Sequence, residues 1–186
     1  IVSALLAHSL ETRRIKGAVT VLMVPGKPPR PVVRIARNAQ EVFQAQKSKY
    51  CPVPLLGFLR DLEEKDGPIA VVGISCQMHG LHNILDKKPT LKKTIAYTVG
   101  LVCERVLTYA ALDYLIAKAN TDRNMNSILH YRDKSVAGYP GDVHIITQEG
   151  TSYVMPAATR IQIKDFFTPV RCRICFDKMN IFSDIT

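Results

Sequence analysis

The sequence predicts an α/β fold: a mostly parallel sheet flanked by helices, with a small antiparallel β addition and a cysteine-bearing C-terminal segment. Three observations carry this expectation. Over residues 1–120, short β-branched apolar runs alternate with helical stripes, the β-α-β-α rhythm of a parallel sheet covered by helices. Over residues 121–155 the runs shorten and turn residues separate them, as in an antiparallel meander. Residues 156–186 show little periodicity but carry Cys172-Arg173-Ile174-Cys175. The chain therefore divides into a core over 1–120 and an addition over 121–186, within one continuous domain.

Each element has its local reason. Ile1, Leu5, Leu6 and Leu10 make a helical stripe, and Gly17 then opens the β-branched run Ala18 to Val24. The turn Pro25-Gly26-Lys27-Pro28-Pro29 returns the chain as a strand over Pro31 to Ala36. Asn38 and Glu41 have capping-box spacing and start a short helix. A second helix is expected from Pro54 to about Glu64, stopped by Asp66-Gly67-Pro68. A strand follows over Ile69 to Val72, then a helix from the Gly73-to-Gln77 turn through Leu85. Thr94 to Val102 reads as strand and Thr108 to Ala119 as helix. Short strands are expected over Ser127 to Arg132, Asp142 to Thr147 and Ser152 to Met155.

Composition narrows the function classes. A chain of 186 residues with 47% hydrophobic and 22% charged residues is ordinary for a soluble globular domain. No apolar run approaches the ~20 residues that span a bilayer, so no membrane span is expected. The net charge of +9 favours an anionic ligand or partner. Its scattered lysines and arginines lack the aromatic-interleaved patch of a nucleic-acid binder, so no nucleic acid is expected. Five widely spread cysteines in a chain without secretion features point to ligand or redox chemistry in a reducing, cytoplasmic compartment. Ile1 opens directly into helix and the chain stops abruptly at Thr186, so both ends look clipped.

The pair Cys172 and Cys175 can share one metal or cluster, but such centres usually want four ligands. Cys76 and Cys103 each follow an apolar run, just past the C-terminal ends of buried strands, where open α/β sheets place their ligands. Cys76, Cys103, Cys172 and Cys175 are therefore expected to converge. Cys51 lies in a loop and reads as a packed or free thiol. A Cys₃His zinc site using Cys76, His79, Cys172 and Cys175 is the alternative, giving a zinc-stabilised module that binds a phosphorylated ligand or partner without redox chemistry. A Cys76/His79 hydrolase is weaker, since residues three apart on a helix rarely present nucleophile and base properly. His8, His130 and His144 read as isolated surface or core histidines.

Two loops suit an anionic cofactor. Gly73-Ile74-Ser75-Cys76-Gln77 is a strand, a turn and a helix start, whose exposed N–H groups favour a phosphate or thiolate. A cysteine there is expected to have a lowered pKa. Ser48-Lys49-Tyr50 joins a hydroxyl, a cation and an amphipathic ring. Asp177 and Asp184 could orient the cysteines or simply cap local turns.

Together these segments resemble the coenzyme F420 hydrogenase/dehydrogenase beta-subunit family. Val2-Ser3-Ala4-Leu5-Leu6 resembles the end of its opening Gly-Gly-x-Val-Thr/Ser-Ala-Leu-Leu, and Ser48-Lys49-Tyr50 its Gly-Ser-Lys-Tyr. Gly73 to Gln77 with Gly80-Leu81 resembles Gly-Thr-Pro-Cys-Gln…Gly-Leu-Arg, and Gly100 to Cys103 resembles Gly-Leu-Phe-Cys. Arg171 to Asp177 with Ser183-Asp184-Ile185 resembles Cys-x-x-Cys-x-Asp…Ala-Asp-Ile. The match runs in order over nearly the whole chain. Lys47, Ile74-Ser75 and His82 depart from the pattern. The resemblance implies a flavin and iron–sulfur oxidoreductase, with a four-iron four-sulfur cluster on Cys76, Cys103, Cys172 and Cys175. It implies flavin adenine dinucleotide (FAD) across Ser3, Ser48, Lys49, Tyr50, Gly73, Ile74, Ser75 and Gln77. It also implies a small-molecule electron acceptor, with coenzyme F420 as candidate substrate, and a redox partner subunit or ferredoxin-like protein.

Overall fold

The computed structural model describes residues 1–119 and 126–186. The expected boundary at 120/121 lies outside the described residues. In chain order the elements are α1 (Val2–Glu11), β1 (Gly17–Val24), β2 (Arg30–Ala36), α2 (Ala39–Gln44), β3 (Ile69–Ile74), α3 (Ser75–Lys87), α4 (Pro89–Lys92), β4 (Ile95–Leu101) and α5 (Tyr109–Lys118). Then come β5 (Ser127–Asp133), β6 (Asp142–Thr147), β7 (Ser152–Met155), α6 (Ala157–Gln162), α7 (Lys164–Phe167) and α8 (Val170–Arg173). Among the described residues, no helix is long and apolar enough to cross a membrane.

The first sheet has the order β2-β1-β3-β4, with β1, β3 and β4 parallel and β2 antiparallel at the edge. The second is the antiparallel meander β5-β6-β7. The expected α/β class and its antiparallel addition are both present. Period-two alternation explains how one strand serves two layers. Val19 and Val71 pack with Met78, Leu81 and Leu85 of α3 on one face. Ala18 and Ala70 pack with Leu6 of α1 and Val42 of α2 on the other. A third cluster joins Leu112 and Leu115 of α5 to Leu129, Tyr131, Val143 and Ile145 of the second sheet. Full burial of one such leucine contributes about 1.5–3 kcal/mol.

Local signals acted as expected at α2. The Asn38 side chain accepts from the Glu41 amide at 2.9 Å, and the Glu41 carboxylate accepts from the Arg37 amide at 2.7 Å. The helix expected over 54–64 is instead two 3₁₀ segments, Leu55–Arg60 and Glu64–Asp66. Gly57 disfavours α-helix there, and the segment holds its place by burying Leu55 and Leu62 beneath the sheet. The C-terminal residues, which show little periodicity, form the three short helices α6 to α8 and a docked tail.

That tail is fastened to β4 and to the ends of β3 and β4. Ile185 pairs with Val99 as a parallel bridge, with Gly100 N donating to Ile185 O at 2.7 Å. The Asp184 carboxylate accepts from both the Thr98 amide and its hydroxyl at 2.7 Å. Asp177, buried, accepts from the Asn180 amide at 2.7 Å and so closes the turn after Cys175. Fully buried Asn180 donates to Gly73 O at 2.9 Å and Leu101 O at 3.4 Å, which ties the tail to β3 and β4 together. Asp177 and Asp184 thus cap and clamp. Gly100 permits the approach: a Cβ there would overlap the Ser183 hydroxyl and lie 2.6 Å from Asn180 Cγ.

A second fastening joins the loop after α2 to the second sheet. Lys47, in the left-handed region at φ 72°, reaches the end of β5 and pairs with Asp133 at 2.6 Å. His130 and His144, expected to stand apart, are cross-strand partners, and His144 Nδ1 lies 4.0 Å from Asp133. Burial alone would raise the Asp133 carboxyl, but Lys47 and the Ser135 hydroxyl and amide outweigh it and hold the group well below the usual carboxylate range.

Gly100→Ala should push the tail from β4 and lower stability by about 1–3 kcal/mol in urea unfolding, whereas an unchanged midpoint would mean the tail is not packed there. A carboxyl whose folded-state pKa is depressed stabilises above its unfolded value and loses that contribution as pH falls. Stability should therefore decline from about pH 4 downward, and Asp133→Asn should flatten the decline in acid-titrated melting curves.

Candidate functional site

A cavity of about 1110 Å³ lies where the C-terminal ends of β3 and β4 meet the 45–54 loop, the second sheet and the C-terminal segment. Single drug-sized ligands fill roughly 300–1,000 Å³, so the space suits a larger molecule or two. All the expected cofactor-binding residues line it: Ser3, Ser48, Lys49, Tyr50, Gly73, Ile74, Ser75 and Gln77. Cys76, Cys103, Cys172 and Cys175 line it as well.

The four cysteines arrive by three routes. Cys76 is the second residue of α3, immediately beyond β3, and Cys103 lies two residues beyond β4. Cys172 sits in α8 and Cys175 just after it, before the Asp177 turn. Cys103 N donates to Lys178 O at 3.0 Å, and the Lys178 amine donates to Glu104 O and Cys172 O, each at 2.9 Å. These bonds hold the Cys103 loop against the Cys-x-x-Cys segment. All four are free thiols. Burial pushes the Cys103 thiol up to about 11, and the fields of Cys172, Cys76 and Cys175 add to it while Lys178 opposes. Burial likewise raises Cys76, followed by Cys172, with Arg171 opposing.

The expectation of a lowered Cys76 pKa is therefore wrong in sign. Burial and the neighbouring thiolates outweigh the helix end. Mutual repulsion of this kind is what a cationic centre bound by all four would relieve. Among the described residues, no three His, Cys, Asp or Glu side chains converge tightly enough for a single metal ion. His79 does not join the cysteines in lining the cavity and stacks on Phe182, ring centroids 4.5 Å apart and 7° from parallel. The Cys₃His zinc arrangement and the Cys76/His79 pair thus find no support. Four thiols lining one cavity are the donor set that a four-iron cluster takes.

The anion-binding side is built around the start of α3. Ile74 N donates to Gln77 Oε1 at 3.1 Å and Gln77 Nε2 donates to Val53 O at 3.1 Å, so Gln77 braces the turn internally. The Ser75 side chain, 3% exposed, has an Oγ with no partner among the described residues. An orphaned hydroxyl beside free helix-start N–H groups fits the pyrophosphate of a dinucleotide. Gly73 leaves room for its neighbours: a Cβ there would push aside the Met78 methyl and approach Leu55 Cδ2 to 2.7 Å.

Lys49 is engaged differently from expectation. Its amine bonds the Ala45 and Gln46 carbonyls at the end of α2, and burial lowers its pKa to about 8. Tyr50 sits edge-on to Tyr131, centroids 6.2 Å apart. Cys51 is buried, and burial raises its thiol to about 11, as a packed cysteine requires. Sequence reasoning missed Arg132 and Arg160, which also line the cavity, and Asn180, which docks the tail. None stands in a recognisable local pattern; their roles depend on contacts across the chain.

Comparison with known proteins is consistent with this geometry. The chain is 29% identical over 137 residues to the coenzyme F420-dependent sulfite reductase of Methanocaldococcus jannaschii, covering 66% of this chain and 22% of that protein. It is 26% identical over 158 residues to one of the subunits of the F420H2 dehydrogenase of Methanosarcina mazei, covering 84% of this chain and 42% of that protein. It thus spans less than half the length of either relative. A chain of the F420-reducing NiFe hydrogenase complex from Methanosarcina barkeri shares its fold, with a TM-score of 0.69 and 21% identity over 99% of this chain and 61% of that one. Residues 1–60 match the N-terminal model of the coenzyme F420 hydrogenase/dehydrogenase beta subunit and residues 66–186 match its C-terminal model. With both halves matched in order, the chain belongs to the coenzyme F420 hydrogenase/dehydrogenase beta-subunit family.

Proposed function

We propose that this chain is the flavin- and cluster-bearing part of an electron-transferring oxidoreductase that acts on a deazaflavin such as coenzyme F420 or a related acceptor. The observation that carries the reading is that four free thiols, from three separate segments, line one cavity, which Ser75 with its orphaned hydroxyl also lines. The relatives' names, an F420-dependent sulfite reductase and an F420H2 dehydrogenase subunit, support the acceptor class. A redox partner subunit or ferredoxin-like protein would complete the path.

When bound, flavin supplies hydride chemistry and a four-iron cluster supplies single-electron chemistry. The chain's residues do the positioning. Cys76, Cys103, Cys172 and Cys175 would hold the cluster. Ser75 and the α3 amides would bind the flavin pyrophosphate, with Ser3, Ser48, Tyr50 and the Gly73–Ile74 turn shaping the walls. Arg171 and Lys178 oppose the negative charge of the thiolates. Lys178, bonded to carbonyls on both cysteine segments, sets the spacing between them. Val53 and Val106 add apolar surface to the cavity lining.

Anaerobic reconstitution with iron, sulfide and FAD tests the reading. About four irons per chain, a brown absorbance band and bound flavin are expected. Colourless, iron-free protein, or a single zinc retained under the same anaerobic conditions, would overturn it. Replacing any one of Cys76, Cys103, Cys172 or Cys175 with serine should cut iron content sharply, whereas Cys51→Ala should keep it.

A further inference from the structure

We propose that Arg132 and Arg160, set about Tyr50, form a second anion subsite in this cavity that binds a phosphate ester. The inference rests on reading the cavity as a cofactor site, but it turns on Arg132 and Arg160, which no part of that reading uses.

Arg160, at the middle of α6, is 5% exposed. One of its terminal nitrogens donates to Pro140 O at 3.4 Å and Gly141 O at 3.3 Å, and its Nε has no partner among the described residues. Its guanidinium carbon lies 5.8 Å from the centre of the Tyr50 ring. Arg132, on β5, donates from Nη1 to the Tyr50 hydroxyl at 3.1 Å and from Nε to Pro140 O at 2.9 Å. The two guanidiniums thus share one carbonyl and flank one tyrosine. Neither meets a carboxylate among the described residues. Asp142, the acid whose field reaches Arg160, accepts from the Ala157 amide instead.

Several other cations of the cavity are already matched. Lys47 pairs with Asp133, Arg105 with Glu104 and Asp165, and Lys164 with Glu104. A buried guanidinium without a counter-ion is costly, and proteins retain one where an anion completes it. Two adjacent guanidiniums call for more than one negative charge, and their planar forks match phosphate oxygens. Tyr50 adds a third donor: its oxygen accepts from Arg132, which leaves its own proton free for the ligand. This subsite sits on the second sheet and α6, whereas the Ser75 site sits at the end of β3. One cavity therefore offers two anion sites, for two ends of one ligand or for two ligands.

The probes are inorganic pyrophosphate by calorimetry, and FAD, riboflavin and coenzyme F420 by fluorescence titration of the full chain. Arg132→Gln and Arg160→Lys should each weaken pyrophosphate binding by at least about tenfold. Loss for FAD with riboflavin unchanged assigns the subsite to the dinucleotide and moves its pyrophosphate here from the Ser75 turn. Loss for coenzyme F420 with FAD unchanged assigns it to the acceptor's phosphodiester. Wild-type pyrophosphate affinity in Arg132→Gln, with an unaltered melting curve, overturns the proposal even if the more buried Arg160→Lys fails to fold. Arginine-dependent pyrophosphate binding by a chain that binds no flavin would leave the subsite standing and overturn the cofactor reading instead.

Discussion

The docking of the C-terminal segment onto β4 is the constraint on which the site depends. A Cys-x-x-Cys pair in short, exposed helices has little burial to hold it. Here the residues beyond it set its position: the Asp177 turn, the Asn180 bonds to Gly73 O and Leu101 O, and the Asp184 clamp on Thr98. Each is a modest interaction, net about 0.5–1.5 kcal/mol for a neutral bond and more for those to a carboxylate. Together they fix a segment some seventy residues after Cys103 against the loop that carries it. The missing Cβ of Gly100 is what brings the two backbones close enough for this to happen.

Electrostatics explains why such a site is arranged around unmatched charge. Burial and the neighbouring thiols raise the pKa of Cys76 and Cys103, so the cavity favours their protonated forms. Arg132 and Arg160, which line the same cavity, meet no carboxylate among the described residues. Repulsion among thiolates and an uncompensated pair of guanidiniums are both relieved by ligands: cations for the first, an anion for the second. The fold therefore lines one cavity with two complementary deficits. Such tension is stored where function needs it, and the well-paired cores of both sheets supply the stability that offsets it.

Much of the frame was legible in the sequence because its causes are local. Period-two runs gave β1, β3 and β4; Asn38 and Glu41 gave the start of α2; cysteines after apolar runs gave the ends of β3 and β4. That Cys76 and Cys103 line one cavity was legible for the same reason, since parallel strands end on one edge. The segment at 54–64 was misread because its apolar residues have helical spacing, while Gly57 and the burial of Leu55 and Leu62 favour a tighter, broken path. The Cys76 pKa differs from expectation because the helix end is visible locally, whereas its burial and the other thiols are not. Lys49 lines the cavity as expected, but its bonds to the Ala45 and Gln46 carbonyls were not legible. Arg132, Arg160 and Asn180 carry no local signature at all; only the assembled chain gives them partners.

Lys47 shows how a departure from the family's pattern can be absorbed. The family motif has glycine at that position, which φ 72° explains, because a side chain there meets its own backbone. A left-handed lysine costs on the order of 1–2 kcal/mol. Its amine, however, reaches Asp133 at 2.6 Å, against a carboxylate that is almost fully buried and held further by Ser135. The ion pair offsets the strain and adds what glycine could not, a link from the 46–50 loop to the end of β5. Arg132 lies one residue before Asp133 on that strand, and Tyr50 lies three residues after Lys47 in that loop. The substitution therefore braces the two segments whose side chains meet at the Arg132–Tyr50 hydrogen bond, so a strained backbone position becomes the anchor of one wall of the cavity.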